Sequence, residues 1–206
     1  RIAFLKTVFQ AESGFGILHE KQQYTVWFTE NGLDISQGKA LILFTSKADM
    51  NAVYTRLKAL NLNYTLIKQN EISSQQQLIY KFKQDVNSVL LGTGVFWEGI
   101  SIEGIALSNL IIYKLPFPLP EPIINEKCKR SKNPLEEVLV PEMIIKLKQG
   151  VGRLIRNKTD KGIVSIIDSR LGDKSKASYK EKVWQALPIK QRTNSLKELQ
   201  SFYDNL

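Results

Sequence analysis

The chain has 206 residues, 43% of them hydrophobic, which makes one sizeable globular domain, or one domain with extensions, able to bury a core without covalent staples. Its 29 lysines and arginines outnumber 20 acidic residues, and the formal charge of +9 favours polyanionic partners, nucleic acid before a membrane surface. A single cysteine (Cys128) and a single histidine (His19) exclude a disulfide framework and an all-protein zinc or iron–sulfur site, and fit a reducing cytoplasm. No apolar run approaches the roughly 20 residues of a bilayer span. No secretory pattern is seen, and the chain begins at Arg1 without a methionine, so it reads as a piece of something longer.

Residues 1–38 are the least legible and are taken as an N-terminal extension, with 39–206 as the main domain. Ile2–Phe9 suits a helix or a strand, Glu12–Gly16 a turn and Tyr24–Thr29 a strand, while Asn31-Gly32 and Gln37-Gly38 are turn signals. From Lys39 the rhythm is regular. Leu41–Phe44 is an all-apolar run of the kind buried on both faces of a sheet. Ser46 and Asp49 form an S-x-x-D cap ahead of a helix bearing Met50, Val53, Tyr54, Leu57 and Leu60. Tyr64–Ile67 is a second strand, and Ser73/Ser74 cap a helix carrying Leu78, Ile79 and Phe82. Ser88–Leu91 is a third strand running into a Gly92-Thr93-Gly94 loop, and Leu110–Tyr113 a fourth. Pro116, Pro118, Pro120 and Pro122 interrupt the chain before a helix at Ile123–Arg130, whose lysines and arginines read as a solvated face. Pro141 suits the start of a helix over Glu142–Arg156. Ile163–Ile167 is a fifth strand, followed by Asp168-Ser169-Arg170, and helices are expected at Tyr179–Leu187 and Ser195–Tyr203. Strands alternating with helices at this spacing predict an α/β domain with a mostly parallel sheet flanked by helices, its ligands outside the carboxyl ends of the strands.

Two stretches carry the chemistry. Gln149-Gly150-Val151-Gly152-Arg153-Leu154-Ile155-Arg156 places two arginines three apart, expected on one helical face, with a glutamine one turn earlier. Arginine presents a planar, permanently charged fork of donors that matches phosphate. Gly92-Thr93-Gly94-Val95-Phe96-Trp97-Glu98-Gly99 offers backbone amides to an anion and two aromatic rings to bases; Phe96 reads equally well as a core plug. Glu98 suits a sugar hydroxyl or an arginine. Against these, the chain has no G-x-x-x-x-G-K-S/T phosphate loop and no D-E-x-H run for magnesium. Arginines for a phosphate without a cradle to hold one point to half of a shared site, its charge delivered across a cleft.

At this point the motifs resemble the second motor domain of a superfamily-two helicase of the DinG/XPD group. Leu41–Ser46 is similar to that family's motif IV, Leu91–Gly99 to motif V and Gln149–Arg156 to motif VI, Q-x-x-G-R-x-x-R, in the family's order; Lys114–Pro118 and Ile166–Arg170 also match, over about residues 39–190. The resemblance implies a RecA-like three-layer domain. It implies that Gln149, Arg153 and Arg156 serve catalysis, with Arg156 the arginine finger on the γ-phosphate, and that Glu98, Gly99 and Gly152 lie near the nucleotide. Thr45, Ser46, Thr93 and Gly94, with Phe96 and Trp97, are then the contacts to single-stranded DNA. ATP with Mg2+ is expected to be held mainly by a first RecA-like motor domain of the same polypeptide, with no metal ligands in this chain. One departure stands out: the family's E-G-x-D is Glu98-Gly99-Ile100-Ser101 here, which loses a charge. The expectation is a cytoplasmic ATP-dependent DNA helicase or translocase, inactive as this fragment alone. The rivals are an ATP-sensing regulatory module of a fused 3'-5' exonuclease and a stand-alone nucleic-acid-binding domain.

Overall fold

The computed structural model describes the backbone of residues 2–7 and residues 33–97, 107–154, 162–172, 175–188, 191–193 and 195–205. The expected turn at Glu12–Gly16 and strand at Tyr24–Thr29 lie outside the described residues.

Seven parallel strands form one sheet: β1 (Ile2–Thr7), β2 (Ala40–Phe44), β3 (Thr65–Lys68), β4 (Ser88–Thr93), β5 (Asn109–Tyr113), β6 (Gly162–Ile167) and β7 (Gln191–Thr193). Their spatial order is β3-β4-β2-β5-β6-β1-β7. The helices are α1 (Lys47–Ala59), α2 (Gln75–Gln84), α3 (Pro122–Arg130), α4 (Val140–Val151), α5 (Lys180–Ala186) and α6 (Leu196–Tyr203). Every residue of β2, β4, β5 and β6 is buried, which is why they read as continuous apolar runs rather than alternating ones.

Alternation reappears in the partition of the core. Leu41, Leu43, Leu90, Leu110, Ile112, Val164 and Ile166 face a layer built from α2, α4 and α5, with Phe82, Met143, Leu147, Val183 and Trp184 interdigitated. Ala40, Ile42, Phe44, Val89, Leu91, Ile111 and Tyr113 face α1 through Met50, Val53 and Leu57. Ile163, on the α1 side, meets Leu199 of α6. These are the helix, sheet and helix layers of the predicted α/β domain.

Local chemistry sets the boundaries. The Ser46 hydroxyl accepts from Asp49 N at 3.2 Å to start α1, and Ser74 and Gln77 close a reciprocal capping box at α2. The helical run before α4 begins earlier than Pro141 suggests, as a π-turn over Leu135–Leu139 in which Val140 N–H reaches Leu135 O. The wider turn lets the chain continue past a proline that has no N–H to give. At its other end α4 stops at Val151, before the expected Arg156. Strand β7, unforeseen in the sequence, is only three residues long. β1, within the segment taken as an extension, pairs in parallel with β6 and with β7.

The chain leaves β2 toward β3 and β4 on one side and crosses to β5 and β6 on the other. That reversal puts a crevice outside the carboxyl ends of β4, β2 and β5, where ligands of open parallel sheets bind.

Candidate functional site

The rim of this crevice begins at the end of β2. Thr45 is exposed and Ser46, half-buried, caps α1. The Asp49 carboxylate of the same first turn takes an ion pair from Lys114 Nζ at 2.8 Å. Lys114 ends β5 with φ +68°, a left-handed conformation that an L side chain adopts only when its surroundings hold it there. The beginnings of α1 and the end of β5 are thereby drawn together at the switch point.

Strand β4 continues two residues beyond its expected end, so Gly92 and Thr93 belong to the sheet, not to a loop. A Cβ at Gly92 would stand 2.5 Å from the Phe96 ring: the glycine makes room for an aromatic side chain rather than for an anion. Thr93 is buried, and Gln69 Oε1 accepts both its N–H (2.7 Å) and its hydroxyl (3.2 Å). Gly94, exposed with φ +49°, opens a 3-10 turn over Gly94–Trp97, and a Cβ there would meet nothing within 4 Å. Gln75 Nε2 donates to Val95 O at 3.0 Å and holds the turn from the side of α2.

Phe96 and Trp97, expected to meet bases, are interior. Their exposures are 0% and 1%, and the Trp97 indole N–H donates to Phe44 O at 2.8 Å. A ring buried this way has no face left for a nucleobase to stack on. The hydrophobic surface on this rim is instead Val95, 54% exposed.

The opening stretch of the arginine motif is only partly helical. Gln149 is exposed in the last turn of α4, and Gly152 caps the helix. Arg153 sits beyond the cap, in tight turns where Arg153 N–H reaches Gly150 O (3.0 Å) and Leu154 N–H reaches Val151 O (3.1 Å). Arg153 therefore lies beyond the α-helix that the spacing predicts for it. Arg153 Nε and Nη2 donate to Trp97 O at 3.3 and 3.0 Å, so the guanidinium joins the end of α4 to the turn after β4. Gly150 is a point of close approach: a Cβ would lie 2.9 Å from the Trp97 ring and 3.3 Å from Leu43 Cδ1. Glu98, Gly99, Ser101 and Arg156 lie outside the described residues.

Further along the rim, Asp168 is buried at the end of β6. Its Oδ1 accepts Arg170 N–H and Nε–H, both at 2.9 Å, and its Oδ2 accepts Arg170 Nη2–H at 2.5 Å and Leu115 N–H at 2.7 Å. The Arg170 guanidinium lies 4.8 Å over the Phe117 ring, which meets Tyr179 edge-on at 5.5 Å. The hydrogen bond to Asp168 raises the Arg170 pKa further, and burial raises that of Tyr179. Stability from the charged arginine is therefore fully present at neutral and mildly alkaline pH. Gln69, the ion pair of Lys114 with Asp49 and the packing role of Gly150 escaped the sequence reading, since a polar residue after a strand carries no signal of its partner.

Among the described residues, no group of three or more His, Cys, Asp or Glu comes together as a metal site, and no helix is long and apolar enough to cross a membrane. Residues 29–190 match the model of the helicase C-terminal domain. The chain belongs to that family. The helicase C-terminal domain here is 38% identical over 180 residues to the ATP-dependent DNA helicase YoaA of Haemophilus influenzae, covering 84% of this chain and 27% of that protein. It is 36% identical over 172 residues to the 3'-5' exonuclease DinG of Bacillus subtilis, covering 79% of this chain and 18% of that one. The solved structure of an XPD helicase superposes with a TM-score of 0.66 at 19% identity, over 93% of this chain and 35% of that chain. Yeast Dbp5 bound to RNA and ADP BeF3 superposes with a TM-score of 0.60 at 17% identity, over 100% of this chain and 44% of that chain. The fold is accordingly RecA-like, and the domain is a helicase C-terminal domain of the DinG/XPD type. The chain spans about a quarter of YoaA's length and less of DinG's.

Proposed function

We propose that this domain is the second motor half of an ATP-driven translocase or helicase acting on single-stranded DNA. In this reading a first motor domain of the same polypeptide holds ATP and Mg2+, and Arg153, Arg156 and Gln149 approach the phosphates from this side. Water attacks the γ-phosphorus, its bond to the bridging oxygen breaks, ADP leaves with the electron pair, and the water proton passes to solvent or a base. The arginines neutralise charge on the transferring group as it separates, which is where such residues have most effect. Thr45, Ser46 and Gly94 stand at the strand ends as the phosphate-backbone contacts, with Thr93 supporting them from inside.

The observation that most supports this reading is the arginine beyond α4 held by the turn after β4, in a domain without a triphosphate loop of its own. The test is ATP turnover, with single-stranded DNA, of the polypeptide carrying both motor domains. Arg156→Ala should lower it by about 10³-fold or more. Unchanged turnover would overturn the assignment.

A second reading is favoured by the similarity to a protein named as a 3'-5' exonuclease. In it, nucleotide binding by this domain gates a nuclease elsewhere in the polypeptide, and Ser101 in place of an aspartate weakens coupling to unwinding. Robust ATP-dependent strand separation by the whole protein would decide against it.

A further inference from the structure

Trp97 touches both halves of the site at once. Its carbonyl accepts two N–H groups of Arg153, at 3.3 and 3.0 Å. Its indole N–H donates to Phe44 O at 2.8 Å, the last residue of β2 before the Thr45–Ser46 turn. Its ring lies against Gly150 of α4 so closely that a methyl group there would come within 2.9 Å. The side chain is 1% exposed, so its role is not to meet a ligand.

Any aromatic ring would fill this space, but filling it does not require the indole N–H to be spent on a strand-end carbonyl 53 residues away. Nor does it require an arginine 56 residues further on to choose this residue's carbonyl. Two donors of one planar fork converging on one oxygen set the direction in which the rest of the guanidinium points. A phosphate adds to the hydrogen bond a charge attraction that a neutral carbonyl lacks, so it competes for that fork. A close-packed interior transmits the resulting displacement instead of absorbing it.

We propose that Trp97 is a positioning residue: it aims Arg153 toward the nucleotide and ties that arginine to the Thr45–Ser46 turn, so that the state of one is felt at the other. This rests on the reading above, in which Arg153 serves the ATP site and Thr45–Ser46 the DNA strand. The tie passes through the indole N–H, Phe44 O and the Gly150 socket. Its loss therefore shows in the communication between DNA and ATP more than in folding.

The experiment uses the whole two-motor polypeptide and reads ATP turnover at saturating ATP, with and without oligothymidylate, alongside the thermal midpoint. Trp97→Phe keeps a ring beside Gly150 and removes the N–H. The ratio of DNA-stimulated to DNA-free turnover should fall about tenfold, inside the roughly 100-fold that a misplacement near 1 Å costs. The midpoint should move by only a few degrees. A purely structural tryptophan would lower both turnovers with the folded fraction and leave the ratio at its wild-type value; that result overturns the proposal. Should Trp97→Phe fail to fold, Gly150→Ala displaces the ring and should lower the same ratio, an unchanged ratio again being fatal. Arg153→Ala in the same series separates the two levels. If it retains full turnover, the ATP-site reading itself fails. If it loses turnover while Trp97→Phe keeps a wild-type ratio, only the tie fails.

Discussion

Two arginines of this domain are held in opposite ways. Arg170 bonds two residues back, to the buried carboxylate of Asp168, and the same carboxylate also takes Leu115 N–H from the loop after β5. Arg153 bonds 56 residues back, to the main-chain carbonyl of Trp97 on another element. The first is a bracket that shapes its own turn and pins the proline-rich loop. The second joins two motifs carried on different elements, the end of α4 and the turn after β4. An arginine near a crevice is therefore not by itself evidence of a ligand: Arg170 gives its donors to the turn it belongs to, Arg153 to a carbonyl of another element.

The sharpest way to break this contrast is to remove each arginine in turn. Arg153→Ala should lower ATP turnover of the two-motor protein by about 10³-fold, the size reported for such residues generally, with little loss of stability. Comparable turnover for Arg153→Ala and wild type would erase the distinction. Asp168→Ala should do the converse. Turnover per folded molecule should stay near wild type, while the buried Leu115 N–H loses its acceptor and the bracket opens, costing about 3 kcal/mol. For a domain of this size that lowers the thermal midpoint by roughly 6–12 °C in a calorimetric or fluorescence melt. Arg170→Ala, whose side chain is 42% exposed, takes the counter-charge from the 4%-exposed Asp168 carboxylate and should cost about as much. Gly92→Ala probes packing without touching either arginine: a methyl 2.5 Å from the Phe96 ring is overpacking, worth about 1–3 kcal/mol in a urea titration. At the far end of the scale is Lys127→Ala. Its ion pair to Glu142 at 2.6 Å is on the surface, and a change within about 0.5 kcal/mol is expected.

The fold was legible because its signal is in runs. Leu41–Phe44 and Leu110–Tyr113 are apolar end to end and Ile163–Ile167 is broken only by Ser165, and only a strand covered on both faces needs that. The caps at Ser46 and Ser74 are local hydrogen bonds between neighbours, so they too could be read directly. The site was legible only as far as its order in the chain. Phe96 and Trp97 have the same letters whether they face a base or a core, and what decided between them was the absence of a side chain at Gly92 and at Gly150. The end of α4 was placed too late because Arg153 and Arg156 keep helical spacing, while the chain had already tightened into turns at Gly152. Strand β7 has no apolar run to announce it; its pairing with β1 comes from an edge that the rest of the sheet supplies.

The position of β1 has a consequence for synthesis. Among the described strands it precedes the other six in the chain, yet it lies between β6 and β7, with Ile2 opposite Gly162 and Ala3 opposite Gln191. At about 5–20 residues per second, the ribosome takes roughly 10–30 s to produce the first of these neighbours after β1 has emerged. During that interval β1 has unsatisfied edges on both sides, while β2 to β5 already have partners among themselves. Among the described strands, joining β1 to β6 and β7 is therefore a long-range closure, which is slow in any parallel sheet. A nascent chain released before β6 is complete would carry an open strand, and pulse-labelled proteolysis during translation should find residues 2–7 the last to become protected.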